Sequence, residues 1–232
     1  MSENIKKIMK AFMADLDSRE NQSIILKPST RPFNNQAHQV NEVAKKIYKL
    51  IEGTKHPNDD IILNHNEIKE AFFSPFEPQL KDAQVFLSHS HADKNKALKV
   101  KNYLKSETNH RVFIDSLFWD YKDNVLNKLA KYDNTSKIKD AFVLILRESL
   151  QDMIEKCPYF VFLQSSNSVS NQGLSCTTYS AWVYEELKIA HSIRESRPTP
   201  MMESWQAFHD ISPFLENLET ITLKELSQQI NS

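Results

Sequence analysis

Glycine is nearly missing from this chain: its 232 residues include only Gly53 and Gly173. Phosphate cradles of the P-loop and dinucleotide-fingerprint kinds need clustered glycines, because the backbone must approach the phosphates closely and turn sharply. Neither kind of enzyme fits here. Cysteine is equally scarce. Cys157 and Cys176 make no disulfide framework, and no Cys/His cluster has zinc-site spacing. The expectation is a reduced, metal-free, cytoplasmic protein. No run approaches the ~20 apolar residues of a membrane span. The opening MSENIKKIMKAFMADL is amphipathic and carries Glu3 and Asp15, unlike a secretory signal. Charge of one sign is absent too. Lys and Arg number 29 against 30 Asp and Glu, a formal net charge of −1, so no global field draws nucleic acid or an anionic membrane. The cluster Lys94, Lys96, Lys99, Lys101 and Lys105 reads as a solvated helix face, and the single Tyr103 within it is short of the aromatic interleaving of a nucleic-acid surface.

What is present describes an ordinary globular chain, 40% hydrophobic and 25% charged, long enough for one domain and an extension or for two small domains. Residues 1–80 read as a helical N-terminal segment. Ile5, Ile8, Met9, Phe12 and Leu16 fall at helical spacing. Pro28 and Pro32 place a loop between Ser23 and Phe33. A second helix is expected from Asn35 to Glu52, with Gly53 as its left-handed cap. A third starts near Asn64, whose side chain and Glu67 stand in capping-box register. The two prolines of SPFEPQLKD (Ser74 to Asp82) mark a linker.

From Gln84 onward short apolar strands alternate with helices. Strands are expected at Val85–Leu87, Arg111–Ile114 and Tyr159–Gln164, with shorter ones at Pro200–Glu203 and Glu219–Leu223. Helices are expected at Ala92–Ser106, Tyr121–Lys131, Ser136–Lys156, Tyr179–Ile193 and Lys224–Ile230. The polar run Ser165–Thr178 reads as a flexible loop able to act as a lid. This alternation predicts an α/β fold, a parallel sheet covered on both faces, with ligands at the carboxyl ends of its strands.

Four pieces carry a more specific signal. QVFLSHSHAD (Gln84 to Asp93) is a strand that stops in Ser and His. VFID (Val112 to Asp115) is a second strand, FVFLQSS from Phe160 a third ending in serine. SAWVYEELKIA (Ser180 to Ala190) is a helix with Trp182 and Glu186 four residues apart. In this order and spacing they resemble the TIR (Toll/interleukin-1 receptor) domain family over roughly residues 81–232, and within it the bacterial-type NAD-cleaving proteins of Thoeris-like anti-phage defence. The resemblance does not extend into residues 1–80. It implies a flavodoxin-like TIR domain at 81–232 behind a helical segment at 1–80.

The resemblance also implies an NAD+ glycohydrolase or ADP-ribosyl cyclase in anti-phage immune signalling. NAD+ would be substrate, with no bound cofactor, and Glu186 would be catalytic. Trp182 and Glu186 share a helix face, whereas Glu185 is turned by roughly 100°. A Trp beside the carboxylate would keep it partly dry, which strengthens its electrostatics. The competing reading is a surface helix with two acids, one paired with Lys188 or Arg194. Ser88, His89 and Ser90 would bond NAD+ or its surrounding loop, or else satisfy backbone and packing. Asp115 is a further substrate-binding candidate and equally a turn-fixing residue. Phe118 and Trp119 would stack on a nucleotide or dock on a neighbour, or pack in a core. The loop DSLFWDYKD lacks the glycine that the family often has after its second strand, and its next acid comes only at Asp120 or Asp123. Implied partners are other TIR copies and an effector reading a nucleotide product. The alternative function is a non-enzymatic TIR adaptor, which has no need of the Trp182–Glu186 pair.

Overall fold

A computed structural model of the chain describes residues 9–27, 45–50, 65–73, 82–114, 123–128, 136–172, 175–195 and 209–232. Four near-continuous apolar runs supply the strands of the main sheet: β1 (Lys10–Asp15), β2 (Ala83–His89), β3 (Arg111–Ile114) and β4 (Tyr159–Gln164). Short strands follow at β5 (Ser170–Gln172), β6 (Ser175–Thr178), β7 (His209–Asp210) and β8 (Glu219–Thr220). The five-stranded sheet runs β3-β2-β4-β1-β8, and every pairing in it is parallel. Such strands read as unbroken hydrophobic stretches because both faces are covered, and Phe160, Val161, Phe162 and Leu163 of β4 are all buried.

Register is fixed by aromatic pairs across three strands. Phe86 lies opposite both Phe113 and Phe160, with ring centroids 5.8 Å apart in each pair. A one-residue slip of β2 would turn this ladder away from its neighbours.

The helices are α1 (Arg19–Ile25), α2 (His65–Phe73), α3 (Lys94–Thr108), α4 (Ser136–Lys156), α5 (Ala181–Glu195), α6 (Ser212–Leu215) and α7 (Leu223–Asn231). Residues 45–50 and 123–128 are also helical. The fold is α/β with a central parallel sheet flanked by helices, of flavodoxin-like type. Helix α3 ends without glycine: it stops at Asn109, which takes φ 54° in the left-handed region that glycine usually fills. Thr222 and Glu225 close a reciprocal capping box on α7. No described helix is long and apolar enough to cross a membrane.

One element overturns the sequence expectation. Residues 10–15 are a strand, not a helix, and that strand lies inside the sheet between β4 and β8. Its register with β4 runs unbroken from Lys10–Tyr159 to Asp15–Gln164. The apparent helical spacing of Phe12 and Leu16 arises because Ala11–Ala14 are apolar without a break and Leu16 follows the strand, so positions a helix would use are filled as well. The loop expected from Ser23 starts later: Arg19–Ile25 is helical, begun by the Ser18 hydroxyl accepting from the Asn21 amide. Counted from β2, the order β3-β2-β4 follows the flavodoxin-like 2-1-3 start. The fourth position is then filled by the N-terminal strand, before β8 closes the row.

The chain forms two compact units. Residues 1–32, 82–115 and 151–232 make the sheet unit. Residues 33–81 and 116–150 make the other, whose described parts are helical and bury Ile47, Ile68, Val125 and Ile145. Of the sequence expectations, Asn64, Asp115, Phe118, Trp119 and Pro200–Glu203 lie outside the described residues, as does most of the Asn35–Glu52 helix.

The expected flexible loop at Ser165–Thr178 is instead folded. Its described residues form a tight turn and then an antiparallel pair, β5 with β6, extended by β7. Serine and threonine make this possible by bonding the local backbone in place of a hydrophobic core.

Candidate active site

In the sheet unit, β2 leads through α3 to β3 on one side, while β4 leads on to β8 on the other. Oppositely directed connections make the carboxyl ends of β2 and β4 a topological switch point, the place where open α/β sheets hold ligands. β2 ends there in Ser88 and His89, followed by Ser90, and all three are buried. The Ser88 hydroxyl has no hydrogen-bond partner among the described residues. An enclosed hydroxyl without a partner is costly, so its retention calls for an explanation.

Helix α5 packs against β2. Its start is built from side chains: the Ser180 hydroxyl accepts from the Val183 amide at 3.3 Å, and the Thr178 hydroxyl accepts from the Ser180 amide at 3.1 Å. One turn further on stands Glu186, which is 0% exposed, while Trp182 of the same face is half-buried. The two acids of the helix differ in their surroundings. Glu185 keeps slight contact with solvent and pairs with Lys188 at 3.8 Å. Its negative charge adds to burial in pushing the Tyr184 phenol upward. Glu186 is enclosed completely. A fully enclosed carboxylate on a helix against the sheet is expensive to maintain, and such groups concentrate at functional sites.

Beyond the ends of these strands lies a polar network that the sequence did not announce. Asp93, just before α3, occupies the position of a helix cap but makes no capping bond. Its carboxylate, 1% exposed, reaches the turn after β4, accepting from the Ser165 hydroxyl and from the Asn167 amide group at 2.9 Å. Lys96 stands 3.6 Å from Asp93 and 2.9 Å from Asp17, which follows β1. Asp17 also accepts the Ser166 amide at 2.9 Å. That backbone bond and then the Lys96 ammonium hold the Asp17 carboxyl below its usual range, and Asp17 in turn raises Lys96. Polar residues from the ends of β1, β2 and β4 are thereby tied together. The lysine face expected to be solvated is only partly so: Lys105 is exposed, but Lys94, Lys96, Lys99 and Lys101 are half-buried, their stems lying along the protein.

The structure thus places Ser88, His89, Ser90, Trp182 and Glu186 in the sheet unit, on two elements that pack together. Asp115 and Trp119 belong to undescribed residues. Asp93, Asn167 and Ser168 were missed. Asp93 falls, by sequence, within the first turn of the helix expected at Ala92–Ser106, and Asn167 and Ser168 sit in a run of polar residues with nothing to mark them. Among the described residues no group of three or more His, Cys, Asp or Glu side chains is arranged to hold a metal. No family model, curated protein or solved structure matches the chain.

Proposed function

We propose that the protein is a TIR-type NAD+ nucleosidase, a glycohydrolase or ADP-ribosyl cyclase, with Glu186 as its catalytic carboxylate and a role in anti-phage signalling. The observation that carries this reading is the complete enclosure of Glu186 on the helix packed against β2. The resemblance assigns the catalytic role to this same residue. Ser88 and His89, buried at the end of β2, supply hydroxyl and imidazole groups for substrate.

The chemistry suits one enclosed carboxylate. The bond between ribose C1′ and the nicotinamide nitrogen breaks, and the electron pair leaves with nicotinamide, which departs neutral. Positive charge develops on the ribose, as in glycoside hydrolysis. Because the leaving group starts as a cation, no proton donor is needed. A carboxylate fixed in a dry site stabilises the developing charge without reorganising. Attack by water at C1′, with loss of one proton, yields ADP-ribose. Attack by an adenine nitrogen of the same molecule yields a cyclic isomer. The half-buried Trp182, one turn before Glu186, offers an aromatic face beside the carboxylate.

The test is nicotinamide release from NAD+ by the wild-type protein and by Glu186→Gln, which keeps shape and removes charge. Loss of a group that stabilises transition-state charge costs roughly 10²–10³-fold in kcat. Turnover that persists in the variant removes Glu186 from the mechanism. A wild-type protein without turnover favours the adaptor reading.

A further inference from the structure

We propose that Asp93 is a positioning residue whose buried carboxylate sets the first turn of α5, and with it Trp182 and Glu186, by holding the turn after β4. The positioning itself stands on hydrogen bonds; its bearing on catalysis rests on the function proposed above. Asp93 caps no amide of the helix it precedes, and although one oxygen also faces Lys96 at 3.6 Å, its side-chain hydrogen bonds both go to that turn. One oxygen accepts from the Ser165 hydroxyl, the other from Asn167 at 2.9 Å. The direction of the first bond is fixed by its neighbours. The Ser165 oxygen already accepts the amides of Asn167 at 3.0 Å and Ser168 at 3.2 Å, so its single proton goes to Asp93. Only an acceptor fits there. Ser168 closes the turn from the other side, accepting the Ser165 amide at 2.8 Å and donating to the Ser165 carbonyl at 3.1 Å.

From this turn the path to α5 is short. Ser170 pairs with Thr177 across the hairpin, and the Thr177 hydroxyl donates to the Ser170 carbonyl at 3.1 Å. Thr178, the next residue, accepts the Ser180 amide. Ser180 holds the amides of Val183 and Tyr184 through its hydroxyl and carbonyl oxygens. Hydrogen bonds and strand pairing therefore connect Asp93 to the turn of helix that precedes Glu186, without passing through the hairpin tip. Such contiguous contacts are the physical means by which one position biases another. A second anchor holds the hairpin independently: the Cys176 amide donates to the Ser212 hydroxyl at 2.8 Å, and its carbonyl accepts the Ile211 amide at 2.9 Å. Loss of Asp93 thus loosens one side of the hairpin and leaves it folded.

Asp93→Asn tests the proposal, with Ser165→Ala removing the same bond from the opposite end. An asparagine oxygen serves one donor only, and its amide group then faces the other donor. Amide hydrogen exchange is read over Ser165–Gln172 and over the start of α5 in the full chain, beside the melting temperature. Loss of one charge-assisted bond predicts roughly tenfold faster exchange at both places in either variant. Because Ser165→Ala also removes the acceptor of the Asn167 and Ser168 amides, the double variant should be no faster than Ser165→Ala alone. Nicotinamide release should show kcat lowered about tenfold and KM within about twofold, the pattern of a misplaced catalytic group. Wild-type exchange at the start of α5 in both variants overturns the proposal, as does a raised KM with kcat unchanged. If the wild-type protein releases no nicotinamide, the functional reading falls, and the exchange data still decide the positioning.

Discussion

Phe12→Ala distinguishes an interior strand from a dispensable N-terminal extension. Phe12 sits on β1 at 1% exposure, in register with Val161 of β4 on one side and Glu219 of β8 on the other. Its ring belongs to the core of the sheet unit, with Ala14 and Leu16 of the same segment equally enclosed. Truncation to alanine loses the transfer free energy of the ring and leaves a cavity that fixed neighbouring strands cannot fill. The expected cost is about 3–5 kcal/mol, against a total stability of about 5–15 kcal/mol for a domain. The exposed Lys10, at the start of the same strand, serves as control, and Lys10→Ala should change stability by less than about 0.5 kcal/mol. Urea unfolding followed by far-ultraviolet circular dichroism measures both. A Phe12→Ala cost under about 1 kcal/mol, the range of a surface site, would refute the placement of residues 10–15 inside the sheet.

Two pH-dependent predictions follow from the charged network and from α3. Burial, with the neighbouring Lys105 charge, pushes the Lys101 ammonium down from 10.5 to about 8. The folded state therefore binds its proton less tightly than the unfolded state, and stability rises with pH between about 8 and 10.5. Lys101→Met should stabilise the protein at pH 7 by about 1–2 kcal/mol, less than the full shift because the chain is half-buried. Chemical denaturation at pH 7 and pH 10.5 should show that gain shrinking; an equal gain at both values contradicts it. Asp17 has the opposite sign: its carboxyl is held below 3.8, so its contribution is present above that value and fades as acid protonates the folded form. With the side chain 41% exposed, Asp17→Asn should cost under about 1 kcal/mol at pH 7. Variant and wild-type stability should converge below pH 3.8; a constant difference would contradict the assignment.

The sequence revealed much of the fold where one pattern dominated. The strands at 111–114 and 159–164 and the helix at 136–156 were read with their observed bounds, because each is a strongly apolar or strongly periodic run. β1 was missed for a physical reason. Four apolar residues in a row satisfy a helix period as well as a strand, and only their pairing with β4 decides between them. The hairpin after β4 was missed because hydroxyls bonding their own backbone leave no hydrophobic signature. Within the candidate site, Glu186 was singled out by the resemblance, its spacing from Trp182 choosing it over Glu185. Asp93 was not, since its partners Ser165 and Asn167 lie 72 and 74 residues away in sequence.

The central claim is that Glu186 cleaves the nicotinamide–ribose bond. It is tested most directly by incubating the wild-type and Glu186→Gln proteins with NAD+ at low and high protein concentration, and separating the products by chromatography and mass spectrometry. The account predicts nicotinamide with ADP-ribose or a cyclic isomer from the wild type, and a loss of roughly 10²-fold or more in the variant, whose melting temperature stays within a few degrees. Equal product from both proteins, or none from the wild type at either concentration, would contradict it.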